Sequence, residues 1–367
     1  MAKYHRIAVK IGSNVITRAD GTLDVTRMSA IVDEVASLHK QGVEVIIISS
    51  GAVASGRSEL KHLVEHSLDP LSSRQLFSAV GQAKLINRYY ELFRDHGIAC
   101  GQVLTTKENF ATRAHYLNQK HCMEVMLDNG VIPIVNENDT VSVTELMFTD
   151  NDELSGLLAS MMGTQALIIL SNIDGVYDGN PSDPGSKVML DILAEEHIDS
   201  SSFIQKGKSS LGRGGMGTKY RISQKVADEG IAVIIANGKR DHIVDQIVAG
   251  DRSVPYTVFH PSSRATSSVK KWIAHSEGFA KGRITVNRQA FEVLISDKAT
   301  SLLPVGITAV EGEFEKDDIV QIVSPDGVAF AAGRIACSSD RARALIGAQG
   351  GRPLIHYDYL YIDRTRL

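Results

Sequence analysis

The sequence has few cysteines and no long apolar run. Cys100, Cys122 and Cys337 are odd in number and widely spaced, so they suit neither a disulfide framework nor a zinc site. No stretch of 18 or more apolar residues is present, which argues against a membrane-spanning helix. The opening residues, MAKYHRIAVKIG, lack the apolar segment and cleavage site of a signal peptide. These absences predict a protein of the reducing cytoplasm.

The chain also lacks an excess of basic residues. Its 367 residues include 39 Lys and Arg against 43 Asp and Glu, a net charge of −4. Acidic residues outnumber basic ones in residues 1–260, and the two are balanced in residues 278–367. Proteins that bind nucleic acid strongly rely on positive charge against the phosphates. The composition therefore argues against strong nucleic-acid binding.

The first 260 residues alternate between short apolar runs and helical patterns. Between RIAVK (6–10) and VEVIIIS (43–49), apolar residues recur at helical spacing, and Gly42 suits the C-cap. The same alternation predicts further strands at 97–106, 131–135, 166–170 and 231–235, and helices near 73–95, 113–128 and 217–229 and from Asn151 onward. Apolar strands separated by helices predict an α/β fold, an open and mostly parallel sheet sandwiched by helices.

A second, smaller domain follows the first 260 residues. Residues 261–280 begin with a polar Pro/Ser/Thr run and include the single Trp, so we interpret them as a linker. Beyond them, the segments 283–295, 316–336 and 354–364 are typical of short strands with turn signals. The sequence thus predicts domains at 1–260 and 281–367, the second of them rich in β-strands.

Two sequence motifs suggest a function that their context does not support. HLVEH (62–66) matches a metalloprotease pattern, but no third zinc ligand is evident nearby. LGRGGMGTK (211–219) contains the spacing G-x-G-x-x-G, yet a polar segment precedes it where a dinucleotide-binding fold needs a strand. It also fails as a P-loop, because Lys219 follows Thr218 instead of preceding it.

The same glycine-rich loop suits phosphate binding of another design. Its glycines allow backbone N–H groups to approach a ligand, and the helix that follows adds a positive end with Lys219 in its first turns. A flexible surface loop is the other interpretation. VKIGSN (9–14), with Lys10, and SSGAVASG (49–56) are further small-residue turns after predicted strands. In an open parallel sheet such turns converge at the carboxyl ends of the strands.

An acidic segment, NENDTVSVTELMFTDNDELSG (136–156), follows the strand VIPIV and ends at the start of a helix. It is either a solvated acidic loop or the binding site of a cationic group or a metal. Its position after a strand places it at the same sheet edge as the glycine turns. We therefore expect the acidic segment to lie at the rim of the crevice where the glycine turns converge.

Five motifs of the sequence resemble those of a known family. VKIGSNVIT, ISSGAVASG, VNENDTV, TDNDELSGLLA and LGRGGMGTK occur in the order found in the glutamate 5-kinases, which are amino-acid kinases, and the C-terminal part looks like the PUA domain that many of them carry. The resemblance implies ATP- and Mg²⁺-dependent phosphorylation of the L-glutamate γ-carboxylate, the first step of proline synthesis. A sibling kinase that acts on another carboxylate, a carbamate or a phosphate, and an RNA-binding protein, remain as alternatives.

The resemblance also implies roles for individual residues. Lys10 and Lys219 would act on the phosphates, with Asp152 holding the two lysines in place. The implied glutamate-binding residues are Ser50, Gly51, Asp139, Asp150 and Asn151. The implied nucleotide-binding residues are Lys10, Gly12, Ser171, Asn172, Arg213, Gly214, Gly215, Met216, Gly217, Thr218 and Lys219. No residue is implied as a direct metal ligand.

Three of these positions depart from the family pattern. Arg213 stands where the family usually has Thr, and Ser171-Asn172 stands where it usually has Thr-Asp. The resemblance further implies inhibition by proline, a homo-oligomer and functional coupling to glutamate-5-semialdehyde dehydrogenase. Because residues 278–367 carry no net charge, we expect weak or no RNA binding by the PUA domain.

Overall fold

The computed structural model describes residues 3–62, 68–141, 148, 150–193, 215–263, 267–296 and 299–363. They form two compact units, Met1–Arg264 and Ala265–Leu367. HLVEH falls almost entirely outside the described residues, as do Arg213 and Gly214.

The first unit is built on an eight-stranded sheet. Its strands are β1 (Arg6–Ile11), β2 (Glu44–Ser49), β3 (Cys100–Thr105), β4 (Ile132–Glu137), β5 (Ala166–Ser171), β6 (Asp191–Leu193), β7 (Ala232–Asn237) and β8 (Thr257–His260). In the described residues they run in the order β3-β4-β2-β1-β5-β7-β8-β6. Neighbouring strands are parallel except β7 and β8, which are antiparallel. The predicted open and mostly parallel sheet is confirmed.

Helices cover both faces of this sheet, as its apolar strands require. They are α1 (Ser13–Ile16), α2 (Val25–Lys40), α3 (Ala52–Glu59), α4 (Pro70–Asp95), α5 (Arg113–Asp128), α6 (Asn151–Met162), α7 (Met216–Asp228) and α8 (Ile243–Ala249). Every residue of β4 and β5 is buried. Within the described residues, no helix has the length and hydropathy needed to cross a membrane.

Helices α3 and α4 approach each other unusually closely because glycines face the contact. A Cβ at Gly56 would lie 1.8 Å from the Phe77 carbonyl oxygen, and one at Gly81 would lie 1.8 Å from the Ala52 carbonyl oxygen. No side chain fits at either position without moving a backbone. This packing fixes α4 beside the turn that connects β2 to α3.

The second unit contains a five-stranded sheet in the order β10-β9-β11-β12-β13. Its elements are α9 (Ser268–His275), β9 (Gly282–Val286), α10 (Arg288–Ile295), β10 (Ile307–Gly312), β11 (Ile319–Val323), β12 (Ala329–Arg334), α11 (Ser339–Ala344) and β13 (Leu360–Ile362). The neighbours β9 and β11 are parallel, and the other pairs are antiparallel. The predicted β-rich character is confirmed.

One predicted strand segment of this unit is wrong. The run 283–295 is a strand only as far as Val286, and Arg288–Ile295 is helix α10. The Asn287 side chain caps this helix by accepting a hydrogen bond from the Ala290 N–H at 2.8 Å. Ala290, Phe291 and Leu294 then reach the core at helical spacing. A short apolar run is compatible with either a helix or a strand, and here the Asn287 cap favours the helix.

Replacing Gly81 with alanine should destabilise the first unit. The added methyl group would force α3 and α4 apart, and overpacking of this kind costs roughly 1–3 kcal/mol. Equilibrium unfolding in denaturant measures the loss of unfolding free energy. Asn87→Ala, on the exposed face of the same helix, is the control and should change that free energy by less than about 0.5 kcal/mol. Equal stability of Gly81→Ala and the wild type would contradict the close packing.

Candidate active site

A cavity of about 630 Å³ opens where β1, β2, β4 and β5 end. Since the carboxyl ends of parallel strands meet at one edge of a sheet, this is the position expected for a ligand site. The sequence-predicted residues that line it are Lys10, Gly12, Ser50, Gly51, Asp139, Asp150, Asn151, Asp152, Ser171, Asn172 and Lys219. The structure therefore brings together residues that lie more than 200 positions apart in the chain.

The glycine-rich loop is described only in part. Arg213 and Gly214 lie outside the described residues. Gly215 is the N-cap residue of α7, and Met216, Gly217 and Thr218 form its first turn. The backbone N–H groups of this turn belong to a 13-residue helix, whose positive end lies next to Lys219.

A buried carboxylate joins the two lysines. The Asp152 Oδ1 lies 2.6 Å from the Lys10 Nζ, and the Asp152 Oδ2 lies 2.9 Å from the Lys219 Nζ. Asp152 is 1% exposed, Lys10 5% and Lys219 9%. Burial alone would raise the pKa of Asp152, but the two ammonium groups outweigh it and hold that pKa below its usual value. Asp152 is therefore a fixed anion that orients two cations.

Asp150 places this bridge by starting helix α6. Its Oδ1 accepts hydrogen bonds from the backbone N–H groups of Asp152 at 2.9 Å and Glu153 at 3.0 Å. Its Oδ2 is buried and has no hydrogen-bond partner among the residues described. Burial and then the charge of Asp152 raise the pKa of Asp150 to about 6. Asp150 therefore caps the helix and leaves one oxygen for a further donor.

Asn151 connects the strand-end turns across the cavity. Its Nδ2 donates to the Ser50 Oγ at 2.9 Å and to the Asn136 Oδ1 at 3.0 Å. Ser50 is followed by Gly51, whose φ of +99° lies in the left-handed region that favours glycine. These contacts place one amide and one hydroxyl group at the base of the site.

Sequence analysis missed Arg74, a cation at the opposite end of the cavity. The Arg74 Nε donates to the Asp139 Oδ1 at 2.6 Å, and its Nη2 lies 3.0 Å from the Glu137 Oε2. Burial and then the charge of Asp139 raise the pKa of Glu137 to about 7. Burial likewise raises the pKa of Asp139, against the opposing effect of Arg74. Glu137 lies within the acidic motif, whereas nothing in the local sequence of α4 indicates that Arg74 faces a ligand.

The turns after β1 and β5 meet beside Lys10 in the cavity. The Gly12 N–H donates to the Leu170 carbonyl at 3.1 Å, and a Cβ at Gly12 would come within 3.1 Å of the same oxygen. Ser171, the last residue of β5, is 7% exposed, and its Oγ lies 3.4 Å from the Asn172 Oδ1. Glycine thus lets the first turn pack directly against the second, and both border the two lysines.

Among the described residues, no group of three or more His, Cys, Asp or Glu side chains is arranged to hold a metal ion. The carboxylates of this site are instead paired with Lys or Arg, or cap a helix. The cavity therefore has a two-lysine end and an Arg–carboxylate end, with the amide of Asn151 at its base.

Two family models match the chain. Residues 5–237 match the Amino acid kinase family, and residues 282–351 match the PUA domain. Carbamate kinase from Giardia lamblia, solved with AMP-PNP, is similar in fold with a TM-score of 0.52 at 17% identity. That likeness covers 71% of this chain and 99% of the other.

The chain is also similar to curated proteins over nearly its whole length. It is 66% identical over 361 residues to glutamate 5-kinase of Bacteroides thetaiotaomicron, a match that covers 98% of this chain and 99% of the relative. It is 45% identical over 368 residues to glutamate 5-kinase of Chlorobaculum tepidum, with 98% of both chains covered. The chain therefore belongs to the amino acid kinase family and, within it, to the glutamate 5-kinases.

Proposed function

We propose that this protein transfers the γ-phosphoryl group of ATP to the γ-carboxylate of L-glutamate, giving γ-glutamyl phosphate for proline synthesis in the cytoplasm. The observation that carries this proposal is the Lys10–Asp152–Lys219 bridge at the end of the cavity where the glycine turns meet. Two buried lysines held by one carboxylate suit phosphoryl transfer, in which negative charge shifts from the attacking oxygen of the acceptor to the leaving oxygen of ATP.

The nature of the acceptor explains why the reaction needs no general base. A glutamate side chain has a reference pKa of about 4.3, so its carboxylate is already ionised at neutral pH. Phosphoryl transfer to such a nucleophile needs alignment of the reactants and neutralisation of charge on the moving group. Lys10 and Lys219 supply the neutralising positive charge, and each is held by one oxygen of Asp152. Their fixed positions mean that little reorganisation is needed in the transition state.

ATP occupies the end of the cavity near β1, β5 and α7 in this proposal. The first turn of α7 directs backbone N–H groups at the phosphates, Gly12 lets the backbone approach them closely, and Ser171 and Asn172 contact the nucleotide. Arg213 and Gly214, which lie outside the described residues, complete the same loop. Ser171 retains a hydroxyl group, and Asn172 provides an amide where many relatives have a carboxylate.

Mg²⁺ enters as part of the MgATP substrate. Oxygen ligands are those that Mg²⁺ prefers, and it keeps several waters when phosphates bind it. The unpartnered Asp150 Oδ2 suits a water of that hydration shell. When bound, the ion would neutralise part of the charge on the phosphates.

L-glutamate occupies the remaining part of the cavity. Ser50, Gly51 and Asn151 lie between the lysines and the acidic turn, and Asp139 offers a carboxylate for the substrate ammonium group. The positive charge of the lysines matches the γ-carboxylate of the amino acid. The substrate is thereby aligned with its γ-carboxylate toward the phosphoryl donor.

Regulation and assembly belong to the same proposal. Proline, an α-amino acid with the same head group, inhibits by occupying the glutamate end near Asp139. The enzyme acts as a homo-oligomer and is coupled to glutamate-5-semialdehyde dehydrogenase, which consumes its labile product. Residues 281–367 form a separate domain with weak or no RNA binding, and a chain ending near Pro261 keeps its turnover.

Glutamate with MgATP should give an acyl phosphate that hydroxylamine traps as a hydroxamate. The reaction class is tested by hydroxamate formation with and without glutamate, and with aspartate as an alternative carboxylate. L-proline added to the same assay should lower the rate. Glutamate-independent ATP hydrolysis without hydroxamate would refute the proposal.

Lys219→Ala should lower kcat by roughly 100-fold or more, the loss seen when one preorganised donor to a transition-state charge is removed. The KM for glutamate should change much less, because the lysine contacts the transferring group rather than the amino-acid head. Steady-state kinetics with glutamate and ATP varied separately measures both. Lys40→Ala, exposed at the end of α2, should retain wild-type kcat. If Lys219→Ala does so too, the role of Lys219 is wrong.

A further inference from the structure

Arg74 and Asp139 present opposite charges side by side in the cavity lining, where Asp139 follows β4, two strands away from β1 and Lys10. The Arg74 Nε donates to the Asp139 Oδ1 at 2.6 Å, and the guanidinium also contacts Glu137 through its Nη2. Both Arg74 and Asp139 line the cavity. The pair therefore presents one negative and one positive group to a ligand in the cavity.

The guanidinium is only partly used by the protein. Its Nε and Nη2 face the two carboxylates, whereas its Nη1 makes no hydrogen bond to any residue that the structure describes. The Arg74 side chain is 17% exposed, and Asp139 and Glu137 are nearly buried. Since a guanidinium can donate at both edges, one edge holds the acidic residues and the other remains for a ligand.

The charges of the cluster match those of an α-amino acid. Such a ligand carries an ammonium and a carboxylate on the same carbon, so its two head charges lie as close together as those of an ion pair. A buried carboxylate alone would accept any amine of suitable size. A guanidinium beside it adds a requirement for an adjacent acid group, and Arg–carboxylate contacts are directional and charge-assisted.

Arg57, another arginine of the cavity, is less suited to bind the carboxylate of an α-amino acid. Arg57 also lines the cavity, but its side chain is exposed and its guanidinium lies over the Phe77 ring at 5.5 Å. Interactions of exposed charges are weakened by water and salt. Arg74 is instead fixed by two acidic partners on a helix that the Gly56 and Gly81 contacts hold in place.

We propose that the Arg74–Asp139 pair recognises the zwitterionic head of the substrate, with Arg74 donating to the α-carboxylate and Asp139 accepting from the α-ammonium group. This inference rests on the proposed function for the identity of the substrate. Arg74 is then the residue that distinguishes an α-amino acid from a simple amine that carries the same acceptor carboxylate.

Two analogues separate the head charges of glutamate. 4-Aminobutyrate keeps the amino group and the acceptor carboxylate but lacks the α-carboxylate, whereas glutarate keeps both carboxylates and lacks the amino group. Dissociation constants for all three ligands are measured by NMR titration on wild type, Arg74→Met and Arg74→Lys. Arg88→Met, on the same helix and paired with Glu91 near the surface, is the matched control.

Wild type and Arg88→Met should prefer glutamate over 4-aminobutyrate by roughly tenfold or more, in line with a charge-assisted contact. In Arg74→Met this preference should fall to about threefold or less, because the group that reads the α-carboxylate is gone. Arg74→Lys should retain part of this preference, because lysine keeps the positive charge but lacks the planar guanidinium group. The affinity for 4-aminobutyrate itself should change little.

Two patterns would overturn the inference. If Arg74→Met weakens glutamate and 4-aminobutyrate equally but leaves glutarate unaffected, Arg74 acts only by holding Asp139. If it weakens all three ligands equally, its role is structural. Turnover is scored separately by hydroxamate formation. A wild type that binds with the expected preference but forms no hydroxamate refutes the proposed reaction and leaves the recognition of the head group intact.

Discussion

The site depends on one buried anion placed between two cations. Asp152 is almost fully buried, and each of its carboxylate oxygens contacts a different lysine. Removing one partner from a buried ion pair is strongly destabilising, because it leaves the other charge buried without compensation. The bridge therefore positions Lys10, from the first strand, against Lys219, from a helix more than 200 residues later. In the proposed reaction, the alignment of the phosphoryl group depends on this constraint.

The fold supports the bridge by converging strand ends and by close helix packing. Asp152 is held at the start of α6 by the Asp150 cap, and Lys10 lies on a strand with neighbours on both sides. The glycine contacts between α3 and α4 bring a third cation, Arg74, to the same cavity. In the proposed function, the lysines serve the phosphates and the Arg74–Asp139 pair serves the amino acid.

Much of this arrangement could be predicted from the sequence, because apolar runs and glycine turns are local signals. Lys10, Asp152 and Lys219 fall within motifs of the family, and the parallel sheet brings them together. Arg74 could not be found in this way, since its position depends on packing between two helices rather than on its neighbours in the chain. Helix α10 was taken for a strand because its short apolar run suits either structure, and only the Asn287 cap decides between them.

The kcat of Asp152→Asn, measured by hydroxamate formation at saturating glutamate and MgATP, tests the central claim most directly. The substitution keeps the size of the side chain and removes the charge that holds the two lysines. The account predicts a fall in kcat of roughly 100-fold or more in protein that remains folded by circular dichroism. A folded Asp152→Asn enzyme with wild-type kcat would contradict it, because the two lysines would then not depend on their shared carboxylate.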